Sequence, residues 1–260
     1  MSPLPGLRLD GKVALVTGIA NDRSIAWGCA QAFRAQGAAL AVTYLNERAR
    51  PHVAPLAEAA EAELLLPLDL GQEGQLEAVF EAVRARWGRL DLVLHSIAYA
   101  PREDLQGRVT DCSRQGFLQA MDISCWSFIR MAKLAEPLMP QGGTLFCMSY
   151  LGAEQVVANY NLMGPVKAAL ESATRYLAAE LGPQGIRVHA ISPGPIRTRA
   201  ASGIAQFDSL AEQAAAEAPL RRLARIEEEV GMTAAFLASE AGAGMTGQTL
   251  YVDGGYHIAD

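Results

Sequence analysis

Val13-Ala14-Leu15-Val16-Thr17-Gly18-Ile19-Ala20-Asn21-Asp22-Arg23-Ser24-Ile25-Ala26-Trp27-Gly28 is the stretch whose reading decides the fold. Its first five residues form an apolar run with no polar face to turn toward water, which predicts a strand covered on both sides. A glycine then turns the chain, and Ser24 stands in N-cap position before a helical pattern.

Outward from this unit the same alternation recurs. Strand-like runs are predicted at Val13–Thr17, Ala39–Tyr44, Leu64–Asp69, Leu90–His95, Gly143–Ser149, Arg187–Ser192 and Thr249–Asp253. Helical stretches are predicted at Ser24–Ala35, Gln72–Trp87, Ser113–Met139, Val156–Leu181 and Ile226–Ser239. Strand–helix–strand repetition requires crossovers, and crossovers give a parallel, doubly wound sheet with helices on both faces. No linker, repeat or low-complexity segment interrupts the pattern. The expectation is an α/β chain of Rossmann type, with about seven strands and one domain over residues 1–260.

Composition narrows the functional classes. Of the 260 residues, 50% are hydrophobic and 19% charged, which supports a large core and argues against disorder. The net charge of −6, without a basic stripe, argues against nucleic acid as a partner. The N-terminal residues lack a basic segment followed by an apolar one, and no run of 18 apolar residues exists. A cytoplasmic chain with no membrane span is therefore expected. Cys29, Cys112, Cys125 and Cys147 are far apart and read as reduced core residues, a reactive thiol being the lesser alternative. No Cys/His/Asp spacing points to a metal, and His95 and His189 read as structural.

In an open parallel sheet, ligands sit outside the carboxyl ends of the strands. After the first strand, Gly18 supplies a turn, Ser24 and Ile25 open a helix, and Gly28 allows close packing. That layout suits a dinucleotide pyrophosphate, which needs close backbone approach and free helix-terminal amides. It is not a GxGxxG motif, and an ordinary strand-to-helix turn would look similar. After the second strand, Leu45 and Asn46 offer neither the acid that meets a 2′-hydroxyl nor the arginine that meets a 2′-phosphate, although Arg48 lies near. Asp69 either meets an adenine edge or caps the turn at Gly71.

The chemistry centres on Tyr150, Tyr160 and Lys167. On a helix, residues seven apart return to within about 20° of one face, roughly 10 Å along the axis, so Tyr160 and Lys167 would look into one cleft. A phenol there donates to an oxygen that becomes negative during reduction, and an ammonium lowers the cost of that charge. Lysine is rare here. Only Lys12, Lys133 and Lys167 among the 22 basic residues are lysine, so a retained lysine beside Tyr160 points to a site that needs a compact ammonium. A plain surface-helix lysine, as expected for Lys133, is the alternative. Tyr150 either acts in the site or lines its wall.

Taken together, these residues resemble the short-chain dehydrogenase superfamily, with departures at three places. The turn is Gly18-x5-Ser24-Ile25-Ala26-x-Gly28, the segment after the fourth strand is His95-Ser96-Ile97-Ala98-Tyr99-Ala100, and Tyr160-x6-Lys167 with Tyr150 replaces the usual serine and Tyr-x3-Lys. That combination, with Pro183–Val188, Ile191–Thr198 and Val252-Asp253-Gly254-Gly255, resembles bacterial NADH-dependent enoyl-acyl-carrier-protein reductases from about Leu9 to Gly255. The resemblance implies cofactor contacts at Gly18, Ser24, Ile25, Leu45, Asp69, Leu70, Ile97, Lys167 and the run Ile196, Arg197, Thr198, Arg199 and Ala200. It implies catalytic roles for Tyr150, Tyr160 and Lys167, and an acyl contact at Ala100. It further implies NADH in preference to NADPH, an enoyl substrate on acyl carrier protein or coenzyme A, a lid within about 196–218, and a homotetramer packed through helices such as Ser113–Met139. Ala98 departs from a frequent glycine. A short-chain reductase acting on a ketone or alcohol, and a non-catalytic NAD(P)-sensing protein, are the two other readings.

Overall fold

The structure, a computed structural model, describes residues 6–199 and 201–259. Seven strands form one parallel sheet in the order β3-β2-β1-β4-β5-β6-β7. They are β1 (Val13–Thr17), β2 (Ala39–Tyr44), β3 (Leu64–Pro67), β4 (Leu92–His95), β5 (Gly143–Met148), β6 (Ile186–Pro193) and β7 (Thr249–Val252). The order reverses between β1 and β4, which creates the crevice where such sheets bind ligands. Register across the crevice is Thr17 opposite His95, then His95 opposite Cys147, so the strand ends form one ledge. The apolar runs behave as read, since β1 and β4 are buried at every position.

The helices are α1 (Ile25–Ala35), α2 (Arg50–Ala59), α3 (Gln75–Trp87), α4 (Arg102–Leu105), α5 (Arg114–Met121), α6 (Ser127–Ala135), α7 (Met163–Leu181), α8 (Phe207–Glu217) and α9 (Met232–Ala238). They cover both faces of the sheet with two apolar layers. One contains α3, α6 and α7 residues such as Phe80, Phe128 and Leu170, and the other α1 and α9 residues such as Phe33 and Ala235.

Four features differ from expectation. The predicted helix Ile226–Ser239 opens as a π turn at Ile226–Gly231 and is α-helical only over Met232–Ala238. The stretch Ser113–Met139 is not one α-helix, because a π turn at Asp122–Trp126 separates α5 from α6. Two serines account for it. Ser127 Oγ donates to the Ile123 carbonyl (2.7 Å), and fully buried Ser124 both accepts from Tyr99 N–H (2.9 Å) and donates to Tyr99 C=O (3.0 Å). Side-chain bonds of this kind compete with the regular helical ladder. The predicted helix Val156–Leu181 begins only at Met163, because Asn159 (φ 62°) and Asn161 (φ 42°) adopt the left-handed conformation that asparagine tolerates. Helices α2 and α8 were not anticipated. Each buries only two side chains, Val53 with Ala57 and Ala211 with Ala214, so their apolar periodicity is faint.

Candidate active site

Gly18 begins the site. Its φ is +94°, and a Cβ there would collide with the Ser96 carbonyl, so only glycine lets the first turn lie against the loop that follows β4. Ser24 occupies the N-cap position of α1, but its hydroxyl accepts from Ala20 N–H (2.9 Å) and Asn21 N–H (3.1 Å) of the loop rather than from the helix. The expected capping bond is thus replaced by one that shapes the turn, and no side chain caps the helix. A tight turn against an uncapped helix N-terminus fits a dinucleotide pyrophosphate. Gly28 does permit a close approach, though not toward a strand. A Cβ would strike Ile226 of the π turn Ile226–Gly231, and a Cβ on Gly231 would lie 2.5 Å from the Gly28 carbonyl.

Around the second and third strand ends, Leu45, Asn46 and Arg48 are exposed. Glu47 accepts from the Tyr44 hydroxyl (2.8 Å) and faces Arg50, so its carboxylate is engaged. Asp69 Oδ1 accepts from Gly71 N–H at 2.9 Å, which is the turn-capping role. Leu70, Ile97 and Ala100 pack, half-buried, against the cluster that contains Tyr150 and Tyr160, whereas Ile25 and Ile196 pack against the opposite layer. Arg197 is exposed and pairs with Asp208 (2.9 Å), Thr198 Oγ1 accepts from Ala201 N–H (3.1 Å), and Arg199 is exposed. Ala200 lies outside the described residues.

Tyr150 leaves β5 with extended backbone, and Tyr160 lies on the turn before α7. Their rings meet edge to face at 4.8 Å. The helical-face relation expected between Tyr160 and Lys167 therefore does not exist. Only Lys167 is on the helix, and the intervening residues instead form the left-handed turn around Asn161, whose amide donates to the Leu105 carbonyl (3.0 Å). Gly152 makes room for this arrangement, because a Cβ would collide with the Tyr160 ring. Accordingly, Gly152→Ala should displace the Tyr160 ring and lower turnover about tenfold or more, since misplacing a reacting group by an ångström costs that much and more. Unchanged turnover in a folded Gly152→Ala protein would show that the ring position is not critical.

Burial pushes the Tyr150 and Tyr160 phenols well above their ordinary range, so both keep their protons. The Tyr150 hydroxyl is buried without a hydrogen-bond partner. Lys167 is buried at 5% exposure, and its Nζ donates to the Met148 carbonyl at 2.6 Å. Burial pulls its pKa down, while Cys147, Cys125 and Glu171 pull it back up. His95 is structural, as read. Ser127 donates to Ile123, so His95 Nε2 donates to Ser127 (2.7 Å), and burial drives its pKa to about 3, leaving it neutral.

Four residues of the site escape sequence reasoning. Ser124 clamps the loop bearing Ile97 and Ala100. Ser149 and Glu171 meet behind Lys167, and Tyr256 packs against the tyrosine cluster. Glu171 alone carried a legible signal, because Lys167, Leu170, Glu171 and Thr174 share one helical face, and an acid on a core-facing stripe requires a partner.

A parallel sheet with this switch point, a glycine-shaped first turn, a buried tyrosine pair and a buried lysine bonded to the end of β5 fits a nucleotide-dependent reductase of the short-chain dehydrogenase type. Comparison with known proteins is more specific. The chain matches the family described as Enoyl-(Acyl carrier protein) reductase over residues 18–257. It is 49% identical over 255 residues to the NADH-dependent enoyl-[acyl-carrier-protein] reductase of Nostoc sp., covering 97% of this chain and 98% of that one. Its identity to the Escherichia coli enzyme of the same name is 44% over 252 residues, 96% of each. Among solved structures, the reductase of Anaplasma phagocytophilum in complex with NAD superposes with a TM-score of 0.93 at 45% identity, covering 98% and 97% of the two chains. That of Bacillus cereus with NADP+ and an indole naphthyridinone also gives 0.93, at 46% identity and 97% and 98% coverage. This chain belongs to the enoyl-acyl-carrier-protein reductase family.

Proposed function

We propose that this chain reduces trans-2-enoyl thioesters to saturated acyl thioesters in fatty-acid synthesis, with NADH as reductant and acyl carrier protein as the carrier. The observation that carries the reading is the pair of buried, protonated tyrosines, Tyr150 and Tyr160, set edge to face, together with a buried Lys167 bonded to the Met148 carbonyl at the end of β5. NADH, when bound, supplies a hydride to the β-carbon of the substrate. As charge moves to the thioester oxygen, Tyr160 donates a hydrogen bond to it, and the dry surroundings strengthen that bond. The resulting enolate takes a proton from water at its α-carbon, which completes the saturated thioester. Lys167 gives up its contact with the Met148 carbonyl to hold the nicotinamide ribose. Tyr150 packs the phenol from the side and bounds the acyl pocket with Ala100.

Gly18, Ser24 and Ile25 hold the pyrophosphate, Asp69 and Leu70 the adenine end, and Ile97 with the Ile196–Arg199 run the nicotinamide end. Leu45 and Asn46 give a 2′-phosphate no cation, which favours NADH. The segment 196–218 forms a lid within the one catalytic domain. Ile204 packs toward the tyrosine cluster, and α8 is held by two small side chains. Phe117, Leu118, Trp126 and Ile129 are exposed large apolar residues on the Arg114–Ala135 stretch, consistent with a homotetramer that buries them. No described helix is long and apolar enough to cross a membrane, and a cytoplasmic location is part of this reading.

A ketone reductase is disfavoured because Ser149, the hydroxyl nearest the usual serine position, is bonded to Glu171 rather than offered to the cleft. A pure sensor would not need the tyrosine pair. Crotonyl-acyl-carrier-protein supplied with NADH should give butyryl product and one NADH oxidised per turnover. Absence of product would reject the proposal.

A further inference from the structure

A reacting phenol is effective only where its hydroxyl is held in place. Tyr160 stands on a segment that no regular ladder holds. On either side of it Asn159 (φ 62°) and Asn161 (φ 42°) are left-handed, and α7 starts only at Met163. The inference rests on the reading of Tyr160 as the donor to the thioester oxygen.

The Tyr160 ring is bounded by Tyr150 and by Gly152, where a Cβ would collide with it. Its backbone is tied from elsewhere. Asn161 uses its carbonyl inside the turn, accepting from Gly164 N–H (3.0 Å). Its side-chain amide reaches 56 residues back along the chain and donates to the Leu105 carbonyl (3.0 Å). Asparagine suits both demands, since it tolerates the left-handed backbone and carries an amide donor.

Leu105 closes α4, and that short helix is itself anchored. The Asp104 carboxylate, 7% exposed, accepts from Ser113 N–H and from Ser113 Oγ (3.1 Å), while Ser113 Oγ accepts from Gly116 N–H (2.9 Å). A Cβ on Gly116 would collide with the same carboxylate, so α5 begins pressed against it. Just before α4, the backbone of Tyr99 is held by buried Ser124. The Leu105 carbonyl is therefore a fixed acceptor, and the Tyr160 turn is the partner whose place it sets.

We propose that Asn161 is a positioning residue for the reaction. Its bond to Leu105 fixes the turn that carries Tyr160 and so sets the place of the Tyr160 hydroxyl. Asn161 acts through the phenol, without contact with substrate or cofactor.

Two variants remove the donor in different ways. Asn161→Asp keeps the shape but turns an acceptor toward the Leu105 carbonyl, and Asn161→Gly keeps the left-handed backbone but has no amide. Both should lower kcat on the crotonyl thioester about tenfold, a fraction of the cost of misplacing a reacting group by an ångström, with the NADH dissociation constant unchanged. In a Tyr160→Phe background the same changes should cost less than about twofold, because no hydroxyl is left to position. Asn159→Gly alters the other left-handed asparagine, leaves the Leu105 bond in place and should stay near wild type. With Tyr160→Phe itself impaired, three results overturn the proposal: wild-type kcat in both Asn161 variants, a loss carried undiminished into the Tyr160→Phe background, or an equal loss in Asn159→Gly.

A further readout does not depend on turnover. The chain has 7 tyrosines, so labelling with 3-fluorotyrosine gives a 19F spectrum in which Tyr160→Phe assigns the Tyr160 signal. That signal should shift in both Asn161 variants, while that of exposed Tyr176 should not. A Tyr160 signal unmoved in either folded variant overturns the proposal. Shifted signals together with wild-type turnover in Tyr160→Phe defeat the oxyanion reading and leave Asn161 as the residue that places the ring.

Discussion

Tyr160→Phe lowers turnover by roughly 100- to 1,000-fold and leaves NADH affinity near the wild-type value. The substitution removes one hydroxyl and keeps the ring, so the edge-to-face packing on Tyr150 and the space beside Gly152 are preserved. What disappears is a hydrogen bond that forms fully only when charge develops on the thioester oxygen. A lost oxyanion donor costs about 2.7–4 kcal/mol in the barrier, and interactions confined to the transition state appear in kcat rather than in ground-state binding. Steady-state kinetics with NADH binding measured by fluorescence check both halves. Turnover within a few-fold of wild type would transfer the donor role to Tyr150, whose buried hydroxyl lacks a partner.

Lys167→Met gives the second large effect and the opposite signature. The apolar stem still fills the space on the buried face of α7, but the ribose loses its charged donor. Hydrogen bonds to charged groups contribute about 1.5–3 kcal/mol, so NADH affinity should fall by roughly 10- to 100-fold, with a loss of rate beside it. Lys167→Arg should rescue poorly. Its planar fork cannot occupy a pocket in which a single nitrogen reaches the Met148 carbonyl at 2.6 Å. Calorimetric titration with NADH reads the affinity, and a dissociation constant equal to that of the wild-type chain would contradict the ribose role.

The parallel sheet was legible because its signal is local and strong. Runs such as Val13–Thr17 and Gly143–Met148 are apolar on both faces, and nothing but a covered strand accommodates them. Gly18 and Tyr150 were legible by position, since each follows a strand at the carboxyl edge of the sheet, whereas Lys167 was legible from the scarcity of lysine. The relation between Tyr160 and Lys167 was misread because spacing was taken as helical. Gly164-Pro165 marks a helix beginning, and asparagine on both sides of Tyr160 marks left-handed turns, so the true start at Met163 could have been inferred. The Ser124 clamp and the π turn were not legible. They arise where a buried hydroxyl meets a loop 25 residues away, and no local pattern encodes that pairing. The same holds for the Gly28–Gly231 contact, which depends on two helices meeting across the fold.

The central claim is that the tyrosine pair serves conjugate reduction of a carbon–carbon double bond rather than reduction of a ketone. Ketone reduction needs its hydrogen-bond donor at the oxygen bonded directly to the carbon that accepts hydride, whereas enoyl reduction needs it at the thioester oxygen, conjugated to that carbon and farther away. On the proposed reading Tyr160, off the helix at the turn around Asn161 and packed against Tyr150, serves the second task. Side-by-side turnover of crotonyl and acetoacetyl thioesters with NADH tests this most directly. The crotonyl thioester should be reduced at least about a hundredfold faster, the penalty for a misplaced donor, and comparable rates on the two substrates would contradict the account.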